Sequence, residues 1–417
     1  MAPLINLFPV SEAKKDDYKA LLALVDYIEK KDSETKTFMV LLQNNLELRP
    51  GGGYLGTFAV LKTKNGAVAS IKTNDLSNFD QAVNSGIEPP YPLKDILGLK
   101  TWKLRDSNYS PDFAVNAGKA EELYHLGQGT ENFNGIIAVN SGILTSILKV
   151  TGPVELPDYP GEYNSENAIL ALEYQVEKGY AEQGIEKQDR KSVMNALAEA
   201  IIDKISQLSY SQKLKLAGII LDDLENKNIQ LFFNDSALEK TIASAGWAGE
   251  VNKEWNKDYL MMVDANIGAW KSDYYMTRTF LYSVDLSKDV PTADLQITYT
   301  HGGKVKDWMT KNYLTYLRVY VPMGSWLIDQ KDFSETKFGN EFGKKYFGAL
   351  VWVPLGQTKT VELTYNLPKD ISDNPYDLLI QKQPGINSLS GKIIITDQNG
   401  KRTEKTISSP SDWEYGQ

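Results

Sequence analysis

The 417-residue sequence has no cysteine, which removes disulfides, thiolate nucleophiles and Cys-ligated zinc. Histidine is nearly absent too: His125 and His301 lie far apart, so a His-rich metal site is excluded and any Ser-His catalysis would have to use one of these two. Long apolar runs are missing. Residues 1–10 are apolar but broken by Pro3 and Pro9, and nowhere do about 20 apolar residues follow one another, so no signal peptide or membrane-spanning helix is expected within the chain. Basic residues are outnumbered, with 45 Lys and Arg against 54 Asp and Glu, and the net charge of −9 argues against nucleic acid as a partner. The hydrolase signatures G-x-S-x-G, H-E-x-x-H and Ser-x-x-Lys with its companions do not occur, whereas a paired-carboxylate glycosidase stays open.

What the sequence has is enough apolar content, 42%, for a sizeable core, in a chain too long for one ordinary domain. Tyr18, Leu21, Leu22, Leu24, Val25 and Ile28 recur at spacings of three and four, which predicts an amphipathic N-terminal helix within residues 1–35. Residues 36–257 alternate strand and helix patterns: a buried strand over 36–43, a hairpin turning at Lys64-Asn65-Gly66, helical spacing over 115–126 and 142–150, and a short β-branched run over 135–139. Three amphipathic stripes and a short helix then predict a helical insertion over about 162–246. After residue 258 the texture is short strands separated by Gly, Pro and Asn turns, the pattern of an antiparallel β-sandwich over 258–417. The expected fold is thus an α/β domain with a helical insertion followed by an all-β sandwich, and with no Pro/Ser-rich linker the two parts should pack together.

Three segments carry candidate chemistry. Asn44, Asn45, Glu47 and Arg49 lead into Gly51, Gly52 and Gly53, where converging amides and a guanidinium fork would suit an anion; the plainer reading is a glycine-rich hairpin with Arg49 paired to Glu47 or another acid. In the proline-rich stretch 75–111 and just beyond it, Asp106 and Asp112, with Asn108 between them, offer hard oxygen ligands for Mg²⁺ beside Arg105; alternatively Arg105 and Asp106 are salt-bridge partners pinning a long loop. Lys271, between two strands, either reaches a pocket from the β side or is a solvated turn residue. Trp308, Trp326 and Trp352 permit sugar-stacking platforms but more commonly fill a core.

The strings QNNLELRPGGGYLGTF (43–58), LRDSNYSPDF (104–113), NGIIAVNSGILTSILKVTGPVEL (134–156) and DANIGAWKSDYYM (264–276) resemble the bacterial domain-of-unknown-function 4012 family, as do YLRVYVPMGSWL and IQKQPG further on. That family usually has Thr where Gly51 stands. Its members usually carry an N-terminal membrane helix and project outward from the cell, so the resemblance implies an extracytoplasmic protein whose membrane anchor is missing from this sequence. In order and spacing, residues 38–49, 53–73 and 116–154 are similar to the LytR-CpsA-Psr phosphotransferases, which move a glycan phosphate from a polyprenyl pyrophosphate carrier onto peptidoglycan. By that likeness Arg49 matches the Arg that contacts pyrophosphate after the first strand. The family's Pro-Arg-Asp is replaced here by Thr73-Asn74-Asp75, so one phosphate-binding Arg is absent and Arg105 is the candidate substitute.

Together these readings predict a protein that binds a polyprenyl-pyrophosphate-linked lipid or glycan and transfers it to peptidoglycan or another wall polymer. Arg49, Arg105 and Lys271 would neutralise the pyrophosphate, Asp106 and Asp112 would hold Mg²⁺ or act as base, and Asn44, Asn45, Asn108 and the amides of Gly51 to Gly53 would orient oxygens. The alternative is a non-catalytic surface module that binds wall glycan or protein partners on a degenerate transferase scaffold. A deep apolar groove ending at Arg49 and Arg105 would favour the lipid-carrier reading, and an acidic or filled pocket its rival.

Overall fold

The computed structural model describes residues 12–30, 34–372 and 375–416; the apolar start over 1–10 lies outside them. The chain forms a mixed α/β part followed by β-rich sheets. Its first sheet is built on β1 (Thr35–Asn44), whose run Phe38-Met39-Val40-Leu41 is apolar on both faces because both faces are covered. β1 pairs antiparallel with β2 (Tyr54–Lys64) and parallel with β4 (Gly135–Asn140); β3 (Ala67–Asp75) flanks β2, and the order is completed by β7 (Ile229–Phe233) beside β4. The β2–β3 turn has positive φ at Asn65 and Gly66, as an Asn-Gly hairpin requires. A small hairpin of β5 (Val154–Leu156) and β6 (Tyr159–Tyr163) stands apart.

Alternation along β1 assigns its side chains to two cores. Met39 and Leu41 pack with Phe58, Phe113, Leu123 and Tyr124 under α2 (Phe113–Leu126), whereas Phe38 packs with Leu231, Phe233 and Trp247. The second core is closed by α1 (Glu12–Glu29), α6 (Tyr210–Glu225) and α7 (Ser236–Ser244). Between these elements run α3 (Gly142–Thr151), α4 (Ala168–Tyr174) and α5 (Ser192–Ser206), which share a separate core of Leu148, Val176, Val193, Leu197 and Ile201. The helix that begins with α4 continues through a π-helical segment over Gln175–Gly179 and an α-helical turn over Tyr180–Glu182.

The β-rich part comprises β8 (Asp258–Asn266), β9 (Met276–Asp285), β10 (Thr292–His301), β11 (Tyr313–Pro322), β12 (Trp326–Lys331), β13 (Ser334–Glu341), β14 (Lys344–Val353), β15 (Thr358–Asn366), β16 (Leu378–Ile380), β17 (Leu389–Thr396), β18 (Arg402–Ser409) and β19 (Trp413–Tyr415). They form two six-stranded sheets, β12-β15-β10-β9-β17-β18 and β13-β14-β11-β8-β16-β19, whose side chains meet in one apolar cluster including Tyr282, Leu295, Leu317, Phe347 and Ile393. The pairing is not wholly antiparallel as expected: β17 runs parallel to β9 and β16 parallel to β8. Among the described residues no helix is long and apolar enough to cross a membrane.

The two parts are joined through the glycine segment. Leu48 N donates to Asp273 Oδ2 (2.9 Å), Asn266 N donates to Leu48 O (2.9 Å), and Gln383 Nε2 donates to Arg49 O (3.1 Å). A Cβ on Gly51 would stand 2.5 Å from Asn116 Nδ2, and Gly52 has a φ of +129°, so close packing and backbone conformation explain the glycines here.

Candidate functional site

A cavity of about 800 Å³ opens at the carboxyl ends of β1 and β4, where open α/β sheets commonly place ligands. Leu42 and Val139 form its floor, and its walls are apolar side chains of three helices: Ile143 and Leu144 of α3, Ile169 and Leu172 of α4, and Met194, Leu197, Ala198 and Ile201 of α5. The amphipathic stripes of the insertion therefore line the cavity with the same apolar faces that form the helical core, and Leu197 and Ile201 belong to both. At one end the lining turns polar, with Asn44, Glu47, Arg49, Arg105, Asp106, Glu173, Glu177, Arg190, Lys191 and Lys271. Trp270 and Trp308 reach the cavity from the β-rich part.

Arg49 leaves the end of β1 and is only 3% exposed. Its Nη2 donates to Glu47 Oε1 at 2.8 Å, its Nη1 donates to the carbonyls of Leu48 and Asn266, and its Nε has no partner. Burial alone would lower its pKa, but the carboxylates of Glu47 and Asp106 outweigh that and hold it above the ordinary value. The Tyr54 ring lies 5.3 Å from its guanidinium carbon, and burial pushes that phenol up to about 12. Arg49 lines the cavity and is paired to Glu47, the plainer of its two sequence readings.

The glycine nest does not form. Gly51 N donates to Asn108 O and Gly52 N to Arg49 O, and the Gly51 carbonyl accepts from Gln43 and Gln230 at 2.9 Å each, so this backbone is engaged internally. Asn108 is wholly buried, with Nδ2 bonded to Gly53 O, and it supports the glycines instead of facing a ligand. Asn44 lines the cavity and donates to Glu173 Oε1 at 2.8 Å, while Asn45 bridges Gly385 O and Ser141 Oγ.

The long loop is pinned through Arg105, but its partner is Asp80, and Asp106 forms no salt bridge among the described residues. Arg105 Nε donates to Asp80 Oδ2 at 2.6 Å and Nη2 donates to Leu76 O at 3.3 Å, and the residue lines the cavity. Asp106 is 4% exposed and its Oδ2 has no partner. Burial pushes it up to about 6, although Arg49 and Arg105 oppose the shift. Asp112 is elsewhere: its carboxylate caps α2 through Val115 N (3.3 Å), accepts from Val251 N (3.2 Å) and pairs with Lys253 (3.0 Å). Asp106 and Asp112 therefore do not form a joint ligand set. Among the described residues no group of three or more carboxylates and histidines is placed to hold a metal ion.

Four functional candidates went unmarked in the sequence: Glu173, Glu177, Arg190 and Lys191 all come from the helical insertion. Lys271 stands 3.1 Å from Glu177 and 3.5 Å from Glu173, and Arg190 stands 3.2 Å from Glu177. Burial would raise the Glu177 pKa, but Lys271 and Arg190 outweigh it and hold it below the ordinary value. Lys191 pairs with Asp75 at 2.7 Å and also donates to Gly56 O. Next to Thr73-Asn74-Asp75, where an Arg was expected and is absent, the cation is Lys191. The signal was the Arg190-Lys191 pair immediately before an amphipathic stripe, which reads as a solvated helix start until the helix is folded over the sheet.

The raised Asp106 pKa carries a stability consequence. Its folded value of about 6 exceeds the ordinary 3.8, so the folded state holds the proton more tightly; stability present below about pH 4 is lost as pH rises through 6. The loss is about 3 kcal/mol, from roughly two units at about 1.4 kcal/mol each. Asp106→Asn is expected to resist urea better than the parent at pH 8 and equally at pH 3.5. A variant less stable than the parent at pH 8 would contradict this account of the carboxylate.

Three comparisons bear on this geometry. Among solved structures, the chain is similar to the protein gbs0355 from Streptococcus agalactiae at 14% identity, over 54% of this chain and 76% of that one, with a TM-score of 0.33. It is also similar to Lin1025 from Listeria innocua (14% identity, 52% and 79% covered, TM-score 0.29) and to TagV from B. subtilis (13%, 52% and 81%, TM-score 0.29). No curated protein matches the sequence. Residues 33–176 match the model of a family described as a protein of unknown function, DUF4012; the strings after residue 176 that resemble the same family lie outside the matched span, which runs from the start of β1 through the glycine segment and the long loop to α4.

Proposed function

We propose that this chain is an extracytoplasmic cell-envelope protein that binds a polyprenyl-pyrophosphate-linked glycan and passes the glycan phosphate to a wall polymer. The observation that supports the reading is the cavity itself: an apolar space between three helices whose lining also holds Arg49, Arg105, Lys191 and Lys271. A prenyl tail would lie along Ile143, Leu144, Ile169, Leu172, Met194 and Ala198, and the pyrophosphate would meet the cations. In the transfer, a hydroxyl of the acceptor attacks the glycan-bearing phosphorus. A new P–O bond forms, the bond to the bridging oxygen breaks, and polyprenyl phosphate leaves with the electron pair. Asp106, titrating near 6 beside Arg49, takes the hydroxyl proton, and the cations hold the charge that builds on the phosphate oxygens. The β-rich part would be a sandwich packed against this site and contributes Trp270 and Lys271 to it.

Calorimetric titration with prenyl pyrophosphates of increasing length tests the reading. Affinity is expected to climb with chain length until the groove is filled, and transfer is expected to rise through pH 6 as Asp106 ionises. Equal affinity for inorganic pyrophosphate and a long prenyl pyrophosphate would overturn it. One observation favours the second reading, a non-catalytic binding module: Arg49, Arg105, Arg190, Lys191 and Lys271 each already hold a carboxylate. Binding of a wall glycan or a protein partner with no affinity for any prenyl pyrophosphate would select that module.

A further inference from the structure

A second cavity, of about 730 Å³, lies on the other side of the long loop, between that loop, α2 and the β11–β14 sheet. Asp106 lines the first cavity and Ser107 the second, so consecutive residues face different spaces. The lining is aromatic in an unusual degree: Tyr91, Trp102, Tyr109, Tyr316, Phe342 and Tyr346, with Phe338 at the mouth. These rings are fixed before any ligand arrives. Trp102 Nε1 donates to Asp106 O at 2.9 Å, Tyr109 Oη donates to Tyr91 O at 2.8 Å, and Tyr91 meets Tyr316 edge-on at 5.1 Å.

Polar groups are set among the rings. Arg318 is 4% exposed; Nη2 donates to Tyr109 O at 2.8 Å, Nη1 approaches Glu341 at 3.5 Å, and Nε has no partner. The hydroxyl of Ser107, also buried, has none either. Both atoms are sealed from the cavity, so a ligand there would find its polar partners among the groups at the rim. Lys119 and Lys337 stand 4.9 and 5.0 Å from the Trp102 and Tyr91 rings, and Asp95 and Glu341 supply acceptors.

An apolar ligand would leave these polar groups unpaired, and a compact anion would leave the rings unused. A ligand with flat C–H faces and a rim of hydroxyls uses both. We propose that this second cavity is a saccharide-binding site for a short oligosaccharide, with rings stacked on the Tyr91, Trp102 and Phe338 faces and hydroxyl or carboxylate oxygens turned to Lys119 and Lys337 and to the acceptors Asp95 and Glu341. The site stands on its own lining and does not depend on what occupies the first cavity.

The test titrates the full chain with neutral N-acetylglucosamine oligomers and, separately, with acidic uronate oligomers, following tryptophan fluorescence and calorimetry. Binding of either series supports the site, and a preference for the acidic one assigns Lys119 and Lys337 to a sugar carboxylate. Phe338 is 58% exposed, so Phe338→Ala is expected to fold as the parent does and to weaken binding about tenfold, the worth of one stacked ring. Tyr91→Ala should do the same, while affinity for a prenyl pyrophosphate stays unchanged in both variants. Failure of both series to bind, or binding that neither substitution weakens, would overturn the proposal.

Discussion

Arg49→Ala is expected to destabilise the protein by roughly 3–5 kcal/mol, the usual cost of removing one partner from a buried ion pair. An arginine that served only as an anion ligand could be removed with the fold intact. Arg49 does more: it holds the Glu47 carboxylate, donates to Asn266 O in the β-rich part and stands beside the Tyr54 ring. Without it Glu47 is left facing an empty buried space, and one tie between the two parts is lost. Arg49→Lys keeps a charge but loses the fork that serves Glu47 and Asn266 together, so an intermediate loss is expected. In a double-mutant cycle, Glu47→Ala added to Arg49→Ala should restore part of the stability, because the uncompensated charge is gone. Thermal unfolding of the four proteins checks this. An Arg49→Ala variant that melts with the parent would show Arg49 to be free for a ligand.

The same residue shows what could be read from sequence. An Arg after a buried strand and before three glycines marked the site, but its partners could not be chosen, because Glu47 is two residues away and Asn266 is 217 away. Arg105 and Asp112 were marked for their chemistry, and their partners Asp80, Val251 and Lys253 are set by packing that no local pattern encodes. In the β-rich part the strands with an apolar face, such as β10 and β11, were legible. β12, β13 and β18 were not, because they are largely exposed edge strands whose polar residues carry no period-two signal. β7 was missed for another reason: Ile229-Gln230-Leu231-Phe232-Phe233 follows directly on α6 and reads as the end of a helical stripe. The apolar groove itself lay in stripes correctly read as helices, yet which part of each stripe would remain uncovered depends on how three helices cross over one sheet.

That uncovered part makes the largest prediction about binding. Ala198 is half-buried on α5 and lines the groove beside Met194 and Ile201. Ala198→Trp would extend an indole into the channel without opening a hole in the helical core, whose buried members are Val193, Leu197 and Ile201. Displacing about four methylenes of a bound tail at about 0.8 kcal/mol each removes roughly 3 kcal/mol, or about 100-fold in affinity. The loss is expected for a long prenyl pyrophosphate and not for inorganic pyrophosphate, which needs only the charged end. Lys191→Gln should give the opposite pattern, weakening both ligands alike, because it removes a cation that each would meet. Calorimetry on the two variants separates tail from headgroup, with circular dichroism and the melting midpoint confirming that each is folded. If Ala198→Trp binds a long prenyl pyrophosphate as the parent does, the groove is not the tail site, and the charged end alone must account for any affinity.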